Sequence, residues 1–430
     1  MAEGESIKKI LFWTLVVTGL AVKVWAVGFI GHYADMWLWR KWTAGLESQG
    51  LWAFSLSSEH NYSPIYLYYL YFFKTIYQFF FPLSSLTPFN INPEFPWVWK
   101  GLLLGIDILT VIILCRFVAK LSGLSTAEKM WVVCLYWLSP AFISLGLIWG
   151  QVEMLSFCGF LMALVGYMQR RYWLIGVGYF LALAIKLQWL VILPWALFWL
   201  YLATPSVALQ VIGGFCASWA LLGAPWWLSG DWSVFFSYMR SNSGAFGVLS
   251  LNAFGPWEII QRSLISVAPA QYVTQTQILD SIPIVGSFTA RECSLALFSC
   301  VYALAVLAWW RWRHQAGGPY LFLRGAQLIS LAFFLALTRA HERYLFPYFF
   351  FDWALLLVGA KQYSWKKGVI THTLFGAHIV WVMEELNLKA LSRLTYELGV
   401  CVFAIIFIAL FTVELTRFLR DFFCARTVAN

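Results

Sequence analysis

The chain has 430 residues, 61% of them hydrophobic and only 11% charged, with a net charge of +9 and a mean hydropathy of +0.72. Soluble domains carry roughly a quarter charged residues. This composition therefore excludes a water-solvated globular surface and selects lipid, in which helices satisfy every backbone group internally. The excess of Lys and Arg reads as membrane orientation, and nucleic acid is not an expected partner. The 26 Trp and 20 Tyr point to broad interfacial regions, where half-wet rings are favoured. Eight Cys show no CxxC or metal-ligand spacing. Cys134, Cys158, Cys216 and Cys401 lie in apolar runs, which predicts buried free thiols.

A membrane span needs about 20 apolar residues. In chain order, spans are predicted near 9–30, 97–118, 130–148, 152–169, 172–187, 189–204, 207–225, 293–310, 321–340, 344–360, 368–384 and 397–416. The first run, Ile10 to Ile30, is too long for a signal peptide and lacks a small-residue cleavage site. The expected fold is all-α, a polytopic helical bundle of about twelve spans forming one domain over 1–430. With the amino terminus cytoplasmic, sixteen of the 29 Lys and Arg fall on the inner side, which predicts both termini inside.

Two long outer segments follow from that arrangement, 31–96 and 226–292. Met36–Leu46 reads as a helix with Trp39 and Trp42 on one side and Lys41 on the other. Ile65–Phe81 is apolar enough to span. Its aromatics and Lys74, and the reversal of all later spans that crossing would require, favour an interfacial helix lying flat.

Charges at membrane depth cost about 2.5–3.5 kcal/mol each on insertion scales, so those retained mark pairing or function. Asp35 follows the first span, where it reads by itself first as a helix N-cap or first-turn acid and second as a reactive carboxylate. Lys100 and Asp107 lie seven residues apart on one helix face and read as a helix-to-helix pair or as site residues. Gln151 and Glu153 end a span at the outer face, as a loop cap or a substrate contact. Lys186, near the outer end of a short span, snorkels or faces an anion. The densest cluster is Thr338 to Pro347, with His341, Glu342 and Arg343 consecutive. Arg343 suits a multidentate grip on phosphate oxygens, and His341 can donate to the same group.

In this order the pieces resemble the GT-C superfamily of membrane glycosyltransferases. They are most like the dolichyl-phosphate-glucose-dependent glucosyltransferases and the bacterial GPI-mannosyltransferase-like proteins. The residues that carry the resemblance are Asp35; Tyr62-Ser63-Pro64-Ile65; Lys100 with Asp107; Gly150-Gln151-Val152-Glu153; Ser250-Leu251-Asn252-Ala253-Phe254; and His341-Glu342-Arg343. The likeness spans nearly the whole chain. Ser63, Glu153 and Pro256 depart from the family pattern.

The resemblance implies an inverting transfer of mannose or glucose from a polyprenyl-phosphate sugar to a lipid-linked or other acceptor. Asp35 is the expected base. Arg343 and His341, with Lys186 as a further candidate, are expected at the donor phosphate. Tyr62, Gln151, Glu153, Asn252 and Glu342 are implied as substrate-binding. No Asp-x-Asp pair stands near Asp35, so neither a metal nor another cofactor is expected. The expected location is a bacterial inner membrane with the site on the periplasmic side, or the endoplasmic reticulum in a eukaryote. Pro64 spoils the Asn61-Tyr62-Ser63 sequon. A transporter or lipid flippase also suits many spans and intramembrane charges, but the sequence shows no internal repeat. A membrane scaffold would leave the one-sided clustering of Asp35, Gln151 and Arg343 unexplained.

Overall fold

The computed structural model describes residues 2–57, 60, 62–81, 94–121, 124–244, 247–274, 277–312, 318–357, 365–384 and 392–424. Asn61 of the sequon and the basic residues Arg313, Lys361, Lys389 and Arg426 lie outside them. The first elements are α1 (Ala2–Val27), α2 (Tyr33–Leu56), α3 (Tyr66–Phe80), α4 (Glu94–Ala119) and α5 (Thr126–Trp137). A single turn, α6 (Pro140–Phe142), then runs into a π-helix, Ile143–Trp149. Next come α7 (Glu153–Met168), α8 (Trp173–Ile185), a 3-10 helix (Leu187–Ile192), α9 (Leu193–Leu202), α10 (Pro205–Ser229) and α11 (Ser233–Gly244).

The rest comprises β1 (Ser250–Leu251), α12 (Pro256–Leu264), a 3-10 turn (Ala270–Tyr272), β2 (Pro283–Val285) and β3 (Phe288–Thr289). These lead into α13 (Ala290–Trp312), α14 (Gly318–Ala336), β4 (Ala340–His341) and a 3-10 turn (Glu342–Leu345). The last helices are α15 (Phe346–Leu357), α16 (Trp365–Met383) and α17 (Arg393–Cys424). The fold is all-α apart from two short ladders, β1 with β4 parallel and β2 with β3 antiparallel.

Among the described residues, six helices are long and apolar enough to cross a membrane: Ile10–Val27, Glu94–Ala119, Thr126–Trp149, Pro205–Ser229, Ala290–Arg311 and Arg393–Arg420. Each matches a predicted span. Four further predicted spans are shorter apolar helices, Glu153–Met168, Trp173–Ile185, Leu187–Leu202 and Tyr320–Ala336. The two predicted at 344–360 and 368–384 fall outside both sets. The long helices also expose large apolar side chains, such as Trp13 and Val17 on α1 and Leu398, Val402 and Ile405 on α17. Exposed apolar surface on this scale calls for lipid. The thiols divide: Cys134 is buried, whereas Cys216 and Cys401 are exposed on their helices, so the expectation of buried thiols fails for these two. An apolar run can face lipid as readily as protein.

The chain forms two compact units, Met1–Leu190 with Phe198–Gly244, and Val191–Leu197 with Ala245–Asn430. In the first, α2, α3 and α4 share an aromatic core of Trp39, Trp42, Tyr66, Phe73, Tyr77, Phe95 and Trp99. The predicted sidedness of α2 holds, with Trp39 and Trp42 buried and Lys41 half-exposed. The helix runs past Leu46 to Leu56 with a kink at Gly50 (φ 76°). At fifteen residues α3 is shorter than a span. It buries Leu67, Leu70, Phe73 and Tyr77 and exposes Tyr71, Phe72, Phe79 and Phe80.

Also in the first unit, α1 lies against α4. The Lys23 ammonium binds the Asp107 carboxylate, and the Lys100 ammonium binds the Phe29 carbonyl. Residue numbers rise on one helix as they fall on the other, as antiparallel neighbours require. In the second unit, α14 to α17 share a buried charge cluster. Arg324 lies 2.6 Å from Glu414, and Gln327 donates to Asp352 at 2.6 Å.

Candidate functional site

The first-unit cluster starts at the amino terminus of α2. His32 is its N-cap and Asp35 its first-turn acid, where the helix dipole favours an anion. The Asp35 Oδ2 accepts from the indole Nε1–H of Trp149 at 2.6 Å and from the side-chain amide of Gln151. The His32 Nδ1 lies 3.0 Å from the same oxygen. The Asp35 side chain is 13% exposed, so this carboxylate is sheltered without being sealed.

Both donors come from the end of the π-helix. Pro140 lacks an N–H and cannot extend α5, so the chain restarts at Ser139, whose hydroxyl caps the new turn. The π-helix closes on Gly150 in the left-handed region (φ 93°), a conformation that glycine adopts without steric cost. A Cβ there would also meet Met36 Cε at 2.4 Å. The backbone is pinned on both sides of the glycine: the His32 N–H donates to the Trp149 carbonyl at 3.0 Å, and the Trp99 indole donates to the Gly150 carbonyl at 2.8 Å.

Lys186 adjoins this group. It caps the carboxyl end of α8 with an extended backbone. Its Nζ lies 3.0 Å from Glu153 Oε1, donates to Gln151 Oε1 at 3.2 Å and binds the Tyr62 hydroxyl. The ammonium is also 4.7 Å from the centre of the Tyr62 ring, within cation–π range. Tyr62 packs on Trp39 and Tyr66 with centroids 5.0 and 4.5 Å apart. Burial holds the Tyr66 phenol far above its ordinary pKa, and Tyr62, Tyr69, Asp35 and Glu153 add to that. It therefore stays neutral.

The second-unit cluster joins two sequence motifs through their backbones. Ser250 pairs with Ala340 and Leu251 with His341 in a parallel ladder, and Asn252 bridges His341. Asn252 and Arg339 both have positive φ, 59° and 64°. Arg339 is fixed by a forked bond to Asp280, Nη2 lying 3.2 Å from Oδ1. Glu342 is buried, with His341 Nδ1 at 3.6 Å and Arg343 Nη1 at 3.4 Å from its two oxygens. Burial alone would raise the Glu342 pKa; His341 and Arg343 outweigh it and hold the carboxyl below its ordinary value.

The structure thus brings Asp35, Tyr62, Gln151, Glu153 and Lys186 together in one unit, and Asn252, His341, Glu342 and Arg343 in the other. Lys186, grouped from sequence with Arg343 and His341, sits in the first cluster and already faces the Glu153 carboxylate. Lys100 and Asp107 belong to the α1–α4 pairing. Sequence reasoning missed the roles of Trp149 and His32, although both flank residues it singled out. It also missed the Asp280–Arg339 fork and His378, whose Nε2 lies 3.4 Å from the Asn252 carbonyl. Among the described residues, no three His, Cys, Asp or Glu side chains converge as a metal would need. No protein-family model matches the chain, and no curated protein matches it significantly.

Proposed function

We propose that the chain is an inverting GT-C-type glycosyltransferase that moves a hexose from a polyprenyl-phosphate sugar to an acceptor hydroxyl. Its helices cross the membrane about twelve times, with both termini cytoplasmic and the 31–96 and 226–292 segments outside. Asp35 takes the proton of the acceptor hydroxyl as that oxygen attacks the anomeric carbon. The carbon–oxygen bond to phosphate breaks, configuration inverts, and the polyprenyl phosphate departs with the electron pair.

The observation that carries this reading is the convergence of Tyr62, the Gln151–Glu153 turn and Lys186, from three separate stretches of the chain, beside Asp35. Indole and amide N–H donors fix the direction of this carboxylate, as a base requires.

The test uses the purified full-length protein in nanodiscs with undecaprenyl-phosphate-[14C]mannose or the corresponding glucose donor. Lipid extracted from the source membrane serves as acceptor. Label should pass to a new product, and Asp35→Asn should lower the rate by about 10²–10⁴-fold while leaving a monodisperse protein. Absence of transfer from both donors, or near-normal turnover by Asp35→Asn, refutes the reading.

A further inference from the structure

Three features of the first cluster converge on one amide. The Gln151 side chain donates through Nε2 to Asp35 and accepts through Oε1 from Lys186. A carboxylate on one side and an ammonium on the other dictate which end of the amide faces which. The indole of Trp149, two residues earlier, donates to the same Asp35 oxygen. Both side chains are set by a π-helix ending in a left-handed glycine, an irregularity that concentrates at functional sites. Gly31 (φ 90°) lets the segment before α2 lie against this turn, because a Cβ there would meet the Trp149 carbonyl at 2.7 Å.

We infer that Gln151 and Trp149 are positioning residues for Asp35, and that Lys186 acts through Gln151 by locking its amide. This rests on the reading of Asp35 as the base. It assigns Gln151 to the carboxylate, in place of the substrate contact expected from sequence. Both hydrogen-bonding ends of the amide are engaged within the protein, and the indole N–H has its own acceptor. Positioning of this kind governs the rate of the chemical step more than substrate affinity, since a misplacement of about 1 Å can cost on the order of 10²-fold.

Gln151→Ala should lower kcat by about 10–100-fold and leave the donor KM within about twofold. Gln151→Glu should be at least as impaired, because it keeps an acceptor for Lys186 but sets a carboxylate against Asp35. Trp149→Phe keeps a ring in place, removes the N–H, and should shift the same parameter if Gln151 variants prove unstable. A rise in donor KM with unchanged kcat overturns the positioning role while leaving the base assignment intact.

A second measurement needs no turnover. The carboxylate stretch of Asp35 is isolated as the infrared difference between protein with and without Asp35→Asn. It should shift in frequency when the difference is taken in a Gln151→Ala background. An unmoved band overturns the inference whatever the transfer assay shows. A shifted band with an active Asp35→Asn enzyme upholds the hydrogen bond and sinks the base reading and the kinetic role that depends on it.

Discussion

The Lys23–Asp107 pair offers a test of how the first unit is held together. Lys23 and Asp107 are each 1% exposed, and Tyr136 donates to the second carboxylate oxygen at 2.7 Å. The ammonium also sits 4.1 Å from the Trp137 ring centre. Three helices, α1, α4 and α5, therefore meet at one carboxylate. Asp107→Asn keeps the shape and removes the charge, leaving Lys23 buried with only a cation–π partner and a neutral amide. Removing one member of a buried pair costs about 3–5 kcal/mol. At about 2 °C per kcal/mol for a unit of this size, the melting temperature in detergent should fall by about 6–10 °C. The double variant Lys23→Met, Asp107→Leu removes both charges and should recover most of that loss, because a well-packed apolar replacement is often neutral. A scan of tryptophan fluorescence against temperature measures both. If the double variant melts as low as the single one, the cost is lost packing and the charge argument fails.

Two further outcomes follow from the second unit. Arg343→Ala should raise the KM for the polyprenyl-phosphate donor by about 10-fold or more, given about 1.5–3 kcal/mol for a hydrogen bond to a charged group. The acceptor KM should stay unchanged, and Arg343→Lys should restore only part of the loss because it lacks the fork; equal effects on both substrates would contradict a phosphate role. Glu342 has a depressed pKa, so it stabilises the fold above the ordinary carboxylate range and loses that contribution as pH falls through its folded value. Melting temperatures of wild type and Glu342→Gln should therefore converge as pH falls below the ordinary carboxylate value and through the lower folded one, and a constant offset would show that the His341–Glu342–Arg343 charges are not coupled to folding.

Long apolar runs made the helical class and the six membrane-length helices among the described residues legible, because length and hydropathy are local properties. Helix interruptions were less so. The predicted 130–148 span became α5, a turn and a π-helix, because Ser139-Pro140 resets the hydrogen-bonding pattern inside an otherwise uniform apolar run. Side-chain partners were the least legible. Lys100 and Asp107 share a face as spacing requires, yet Asp107 answers Lys23 of α1 and Lys100 the Phe29 carbonyl just beyond that helix, and only the antiparallel register of α1 on α4 decides which. In the same way, Gln151 was visible as a polar residue at a span end. Its approach to Asp35, 116 positions earlier, depends on a glycine at φ 93° that no periodicity announces. The Ser250–Asn252 and His341–Arg343 motifs were each noticed, and the ladder that joins them is a tertiary feature of two residues per strand.

The buried charges also differ in how they are answered, and that difference separates architecture from candidate chemistry. Asp107 meets Lys23, and Glu414 meets both Arg324 and Lys367. A cation against a carboxylate on a neighbouring helix leaves neither charge unanswered in the core, which suits a joint between helices. Asp35 instead accepts from an indole N–H and an amide N–H. Such donors, with the His32 ring 3.0 Å from the same oxygen, fix the direction of the carboxylate without setting a lysine or arginine against it. Lys186 stands one amide away, where its charge acts on Asp35 through Gln151 and is met directly by Glu153. Moving a cation into the place of that amide, as Gln151→Lys would, sets a second ammonium beside Lys186 and should lower both the melting temperature in detergent and the transfer rate; a melting temperature at or above wild type would refute this.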